Sequence, residues 1–219
     1  MLFSRAMTAR KVKRTGTPAA APARPSPTAA LPPSWLHYLA LVAVFLVAAL
    51  LSLRDVGSPD MGFHLKTGDY ILAGHGIPRT DPFTDTMKGH RYTDTSWGYD
   101  VIVATVFRGG GAAALVLFHT ALVLFTFFML YRTCRLLGAD PTSLVLFLLA
   151  GVVASETRFE VRPEIVSYAL LALLLHLLHR YAEGKPVRLW SIPALMLAWS
   201  NVHSLYVLGW LAMAAFLAG

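Results

Sequence analysis

Long apolar runs separated by short polar segments make up most of the chain. They cover residues 36–53, 112–131, 141–155, 165–178 and 189 to the C-terminus. A helix of about 20 apolar residues crosses a bilayer, and tilting or local thinning lets somewhat shorter helices do the same. The pattern therefore predicts an all-α fold, a polytopic transmembrane helical bundle.

The last apolar run is too long for a single span and contains a polar interruption. It is about thirty residues long, with Asn201 and His203 near its middle. Two helices that meet at a polar bend fit this better than one helix, because polar groups within hydrocarbon are costly. The predicted count is then five spans and the start of a sixth.

The first thirty-four residues differ from the rest of the chain in composition. They are basic at first and then rich in alanine and proline. Proline at this density prevents a helix, and so few apolar side chains cannot offset the entropy of folding. We predict a disordered cytoplasmic tail over residues 1–34 and a transmembrane domain over residues 35–219. A cleaved signal peptide is disfavoured because the positive region is too long.

Composition and charge favour an integral membrane protein and argue against binding to nucleic acid. Hydrophobic residues form 56% of the chain, charged residues 14%, and the net charge is +7. Six of the nineteen basic residues lie in the tail, where topology and anionic lipid explain them. Basic residues also follow the second and fourth apolar runs, at Arg132, Arg135, Arg180, Lys185 and Arg188. The positive-inside rule then predicts a cytoplasmic N-terminus in a multi-pass protein of the cytoplasmic (inner) membrane.

The polar segment 54–111 is a large loop, and this orientation makes it extracytoplasmic. It carries seven of the twelve acidic residues of the chain. Loops of this length are uncommon unless they have a function. Its sequence predicts two interfacial amphipathic helices, at 61–73 and 96–107, and a hinge at the glycines 109–111.

Asp60 and His64 are the first candidates for chemistry in this loop. They stand four residues apart, so a helix that begins near Asp60 would place both on one face. A carboxylate there could act as a base, orient an acceptor, or hold a divalent cation together with the imidazole. Asp60 could equally be a helix cap, and the residue types favour neither reading.

A second polar cluster lies between the third and fourth apolar runs. Arg158, Glu160, Arg162 and Glu164 alternate in charge. The two guanidinium groups suit a phosphate or pyrophosphate. From residue types alone, an internal network of ion pairs is the preferred reading.

Asn201 and His203 form the third polar cluster. A donor at this bend could stabilise a leaving phosphate, and the alternative is that both residues only cap two helix ends. The predicted topology puts the loop, the charged cluster and this bend on one side of the membrane. The sequence thus predicts that their side chains converge.

Five segments of the chain resemble bacterial GT-C superfamily membrane glycosyltransferases and their uncharacterised relatives. The likeness to their first extracytoplasmic loop rests on SPDMGFHLKTGDYIL at 58–72, IPRTDPF at 77–83, and residues 91–97. Residues 158–163 and 201–203 resemble later segments of the same proteins. The likeness covers nearly everything after residue 35.

This resemblance implies an enzyme that transfers a sugar from a polyprenyl-phosphate donor to an acceptor on the outer membrane face. In that family an acidic residue of the first loop serves as base or as a metal-linked acceptor contact, and the matching residue is Asp60. A divalent metal ion held by Asp60 and His64 is the cofactor that this implies. The candidate substrate-binding residues are His64, Asp81, Arg158, Arg162, Glu164, Asn201 and His203.

The chain departs from the family at three points. Many relatives carry a second acidic residue where this chain has Met61, and an aromatic pair is reduced to Gly62 and Phe63. GT-C enzymes usually have eight or more spans, so we expect a truncated relative or a fragment. The alternative function is a non-catalytic membrane subunit that acts in assembly and binds a membrane protein partner. A transporter is disfavoured because no Asp or Glu falls inside a predicted span.

Overall fold

The computed structural model describes residues 34–219, and the fold of that part is all-helical. The predicted disordered tail lies outside the described residues, except for Ser34, where the first helix begins. The helices are α1 Ser34–Ser52, α2 Met61–Tyr70, α3 Trp97–Leu136, α4 Pro141–Ser155, α5 Glu164–Ala182, α6 Ser191–Ser200 and α7 Tyr206–Ala218. A π-helical turn (Ile71–His75) continues α2, and a 3-10 turn (Glu156–Arg158) follows α4. Residues 34–219 form no β-strand, only an isolated bridge between Thr80 and Arg91, which confirms the all-α prediction.

Three helices of the described part are long and apolar enough to cross a membrane. They are α1, α3 and α5. The helices α4, α6 and α7 have 15, 10 and 13 residues, fewer than the about 20 that a perpendicular span needs. Large apolar side chains face outward, among them Leu46, Phe147 and Leu217. Such a surface suits lipid and indicates a membrane protein, whereas the count of five to six spans stays a prediction.

Two apolar clusters hold the bundle at its sides. One joins α1, α3 and α4 and contains Ala48, Phe127 and Val152. The other joins α5, α6 and α7 around Trp199, which is fully buried. Because α3 and α5 also pack against each other, these two helices form the centre to which the others attach.

A third cluster fixes the large loop against the bundle. Met61 of α2, Tyr99 and Val103 of α3, and Val161 are all buried there. The helix α2 lies directly along the first part of α3, and its own buried positions include Thr67 and Gly68. The loop is therefore a packed part of the fold.

The glycines 109–111 break α3, as the sequence predicts for a hinge. Gly110 and Gly111 have non-helical backbone angles, and Gly111 lies at φ 63° and ψ −154°. Only glycine adopts that combination without strain. The predicted interfacial helix 96–107 is thus the part of α3 before the break, and the predicted span 112–131 is the part after it.

We expect Gly111→Ala to lower the free energy of unfolding by about 1–3 kcal/mol, because alanine is strained at this backbone conformation. Gly109→Ala is the control, since an added Cβ there meets nothing within 4 Å and its φ is not positive. Thermal unfolding of the two purified proteins in detergent compares them. Equal midpoints would show that the break tolerates a side chain.

Candidate functional site

A histidine–aspartate pair, with Asp100 fully buried and His64 mostly buried, joins α2 to α3. His64 Nδ1 lies 2.6 Å from Asp100 Oδ1, and the side chains are 12% and 0% exposed. Among residues 34–219, the hydrogen bond at Nδ1 is the one that the His64 ring forms. If Nδ1–H donates to the carboxylate, Nε2 carries the lone pair and can accept a proton. The pair is a candidate base with its orienting group.

Asp94 extends this pair into a cluster of three titratable groups. It is 7% exposed, and its Oδ1 accepts hydrogen bonds from the backbone N and the hydroxyl of Ser96 at 2.9 and 3.1 Å. Asp94 lies near Asp100. The Oδ2 atoms of both are buried without a partner among the described residues.

Tyr92 also faces these acids. Burial, together with the negative charges of Asp94, Asp100 and Asp81, raises the pKa of Tyr92 to about 12. Its phenol thus stays protonated at neutral pH and remains a hydrogen-bond donor. Three of the seven acidic residues of the loop, Asp81, Asp94 and Asp100, thus lie near this phenol.

Asn201 attaches the α6–α7 bend to the start of α3. Its carbonyl oxygen accepts a hydrogen bond from Gly98 N at 2.8 Å, and its Oδ1 accepts one from Trp97 Nε1 at 3.1 Å. Its Nδ2 donates to Leu197 O at 2.7 Å. The amide that the sequence offers as a substrate contact is used within the fold, which agrees with the alternative of a cap.

Ser167 and Trp199 hold the ring of His203 in place. Its Nδ1 lies 2.9 Å from Ser167 Oγ, which accepts a hydrogen bond from Trp199 Nε1 at 2.8 Å. A hydroxyl that accepts from tryptophan can donate its own hydrogen to Nδ1, which leaves Nε2–H as the donor of the neutral ring. Burial lowers the pKa of His203; the charge of Glu164 opposes this shift and that of His64 adds to it. His203 is a neutral hydrogen-bond donor close to His64 and Glu164.

The two arginines of the charged cluster have different surroundings. Arg162 Nε lies 2.8 Å from Glu160 Oε2, and its Nη1 lies 3.9 Å from Glu164 Oε1. This agrees with the internal ion-pair network that the residue types favour. Arg158 is exposed and forms no ion pair within the described part of the chain. Of the two guanidinium groups, that of Arg158 is the one available to a ligand.

Arg158 stands where an apolar groove meets a charged cavity. The groove has a volume of about 400 Å³ between α3, α4 and α5. Its walls include Val123, Phe127, Leu130, Gly151, Ile165 and Tyr168. The cavity, about 220 Å³, is lined by Thr157, Arg158, Glu160, Arg162 and Glu164. An apolar chain in the groove would bring its polar end to Arg158.

Asp60 and Asp81 are the remaining acidic candidates of the large loop. Asp60 is exposed at the N-cap position of α2, and its side chain makes no capping hydrogen bond. Asp81 holds a turn: its Oδ1 accepts from Phe83 N at 2.8 Å and its Oδ2 from Thr84 Oγ1 at 2.6 Å. The Thr84 hydroxyl, followed by the backbone N–H groups of Phe83 and Thr84, lowers the pKa of Asp81. Asp81 has a structural part in the loop, and Asp60 remains free of the capping role.

The expected divalent metal ion has few ligands available near Asp60 and His64. Within residues 34–219 no three His, Cys, Asp or Glu side chains are grouped to hold a metal ion. Nδ1 of His64 is already bonded to Asp100. A cation at Asp60 and His64 would need most of its ligands from substrate or water, and the chemistry proposed for this site does not depend on one.

The structure thus brings together His64, His203, Glu164 and Arg158 at one end of the bundle. It adds Asp94 and Asp100, which the sequence reasoning missed. The signal for Asp100 was its position beside Tyr99 and Val103 on the inward side of a predicted helix, where an ionisable group needs a partner.

Comparisons with protein-family models, with curated proteins and with solved structures each found no match for this chain. The resemblance to GT-C glycosyltransferases therefore stays a prediction.

Proposed function

We propose that this protein is a membrane glycosyltransferase that transfers a sugar from a polyprenyl-phosphate donor to an acceptor on the extracytoplasmic face. The observation that supports this most is the placement of the His64–Asp100 pair at the same end of the bundle as an apolar groove that ends at Arg158. The His64–Asp100 pair suits proton removal from an acceptor. The groove with Arg158 suits a lipid that carries a phosphate.

The groove and Arg158 would bind the donor. A polyprenyl chain is entirely apolar and fits a groove between helices that are themselves exposed to lipid. At the end of the groove, the guanidinium of Arg158 can form two parallel hydrogen bonds with phosphate oxygens. Arg162 keeps its partner Glu160 and acts on the phosphate only through its charge.

His64 would take the proton of the acceptor. In this proposal Asp60, four residues earlier and exposed, contacts the acceptor, while His64 Nε2 removes the hydrogen of the attacking hydroxyl. Asp100 holds the ring in the required tautomer through Nδ1. Asp60 thus contacts the acceptor, as the resemblance implies. His64, which is oriented by Asp100, takes the proton instead of Asp60.

His203 and Arg158 would stabilise the leaving phosphate, on the side of the sugar opposite to the acceptor. As the acceptor oxygen bonds to the sugar carbon, the bond between that carbon and the phosphate oxygen breaks and its electron pair stays on the phosphate. His203 Nε2–H and the Arg158 guanidinium can then donate hydrogen bonds to that oxygen. The proton from the acceptor stays on His64 until solvent removes it.

Binding of polyprenyl phosphate tests the donor half directly. We expect the full chain in nanodiscs to bind a short-chain polyprenyl phosphate, and Arg158→Gln to bind it about 10- to 100-fold more weakly, because one charge-assisted hydrogen-bonding group contributes about 1.5–3 kcal/mol. Arg188→Gln removes an exposed arginine that does not line the groove and should bind like the parent.

Two results would count against this function. Unchanged binding in Arg158→Gln would remove the donor site from the groove. An absence of binding, together with a stoichiometric membrane protein partner that co-purifies, would favour the non-catalytic subunit. Asp60→Asn with full transferase activity in a reconstituted assay would remove Asp60 from the acceptor contact alone.

A further inference from the structure

A second cavity lies at the other end of the same helices. Its volume is about 370 Å³, and it is lined by Arg132, Arg135, Leu136, His176, Arg180 and Lys185. The distance from the candidate site is large, because Glu164 and Arg180 are about 24 Å apart along α5 at 1.5 Å per residue. We call this cavity the basic cleft. It shares no residue with the groove or the charged cavity.

The basic cleft is lined by positively charged side chains and, within the described residues, by no carboxylate. Among residues 34–219, its four cationic side chains form no ion pair. Residues 1–33 contain no acidic residue, so the tail offers no carboxylate either. The nearest acids in sequence are Asp140, which caps α4 through Thr142 N and Ser143 N, and Glu183, which does not line the cleft. Like charges around one cavity repel each other unless an anion lies between them.

Helix ends explain part of this pattern. Cations near helix C-termini are stabilised by the helix dipole, and short cytoplasmic loops are rich in them. Neither effect requires cations from α3, α5 and the following loop to line the same cavity. Hydrogen bonds fix its walls: Arg180 Nη2 donates to Pro186 O at 3.0 Å, and His176 Nδ1 lies 3.0 Å from Thr133 Oγ1.

The surroundings of the cleft place it at a lipid interface. Tyr181 and Trp190, near it in sequence, are 59% and 66% exposed. Exposed tyrosine and tryptophan beside apolar helices mark the level of lipid head groups. The guanidinium of Arg132 also lies 5.7 Å from the ring centre of Phe128, an exposed aromatic residue of α3.

We propose that the basic cleft binds the phosphate head group of an anionic phospholipid. Two or three guanidinium and ammonium groups reach one phosphate, and the acyl chains lie along the apolar surface of α3 and α5. This site is independent of the proposed transferase reaction.

Lipid binding to matched charge variants tests the proposal. Arg132→Gln, Arg135→Gln and Lys185→Gln are combined in one protein; a control combines Arg79→Gln, Lys88→Gln and Arg91→Gln, which are exposed and outside the cleft. Both lose three charges. We expect phosphatidylglycerol to bind the parent and the control equally, by native mass spectrometry and by thermal stabilisation in detergent. The cleft variant should bind it about a hundredfold more weakly, at about fivefold per charge.

A single Arg135→Gln protein, with about fivefold weaker binding expected, keeps the test decisive if the triple variant does not fold. Phosphatidylcholine should not stabilise the parent, and millimolar inorganic phosphate should not displace the anionic lipid. Parent-like lipid binding by both cleft variants would overturn the site. Full displacement by inorganic phosphate would overturn the lipid as its occupant.

Discussion

Gly68→Ala should separate α2 from α3 and lower the stability of the protein more than Gly111→Ala does. A Cβ at position 68 would lie 2.1 Å from the backbone oxygen of Asp100 and 2.6 Å from Ala104 Cβ. Neither neighbour is the flexible end of a long side chain, so the helices themselves must move apart. Overpacking of this kind costs about 1–3 kcal/mol, and a backbone clash belongs at the upper end.

Gly62→Ala is the matched control in the same helix. An added Cβ at Gly62 meets nothing within 4 Å, and alanine is the better helix former by about 1 kcal/mol. Thermal unfolding in detergent should therefore show a large decrease for Gly68→Ala and none for Gly62→Ala. Equal midpoints would mean that α2 does not lie against α3 as closely as the structure has it.

The same substitution should also disturb the candidate site. His64 lies one helical turn before Gly68, and its partner Asp100 contributes the very oxygen that the added Cβ would meet. Outward movement of α2 would lengthen the bond of 2.6 Å between the two side chains. The stability of the protein and the proposed proton transfer thus depend on the same close approach of the α2 and α3 backbones.

Local sequence signals predicted the helices well. The run 141–155 coincides with α4, because Asp140 caps its N-terminus with hydrogen bonds to Thr142 N and Ser143 N and proline occupies its first position. The polar interruption near Asn201 likewise falls between α6 and α7. These features are encoded within a few residues, so they can be read without knowledge of the fold.

The candidate site depends on contacts that no local pattern contains. His64 and Asp100 are 36 residues apart in sequence, and Ser167 and His203 are also 36 apart. The helix propensity of the segment around Asp100 gives no sign that a carboxylate there meets a ring from α2. Only the packing of α2 on α3, which the small size of Gly68 permits, brings them together.

Arg158 and Arg162 show the same limit for two residues of one type. Their sequence surroundings are alike, and their residue type suits both to phosphate. Their difference arises from side-chain geometry: Glu160 lies within 2.8 Å of Arg162, while Arg158 lines the groove. Residue type gives the chemistry that is possible, and the neighbours decide which residue is available for it.

The second large effect should come from the histidine–aspartate pair. His64→Gln removes the proposed base, and we expect kcat to fall by about 10²- to 10⁴-fold with little change in KM for the donor. Asp100→Asn should lower kcat by a similar order, because an amide no longer favours the tautomer with the hydrogen on Nδ1. Asp69→Asn is the control, since that carboxylate is exposed and pairs with Arg108 outside the site.

The tautomer of His64 gives a readout that does not require the proposed reaction. In ¹⁵N-labelled protein, the neutral ring of His64 should carry its hydrogen on Nδ1 in the parent and in Asp69→Asn, and lose that preference in Asp100→Asn. If the preference is lost while kcat is unchanged, the pair exists but is not the base. If Asp100→Asn changes neither quantity, the hydrogen bond at 2.6 Å does not orient the ring. A fall in kcat together with the change of tautomer would assign Asp100 as the residue that positions the base.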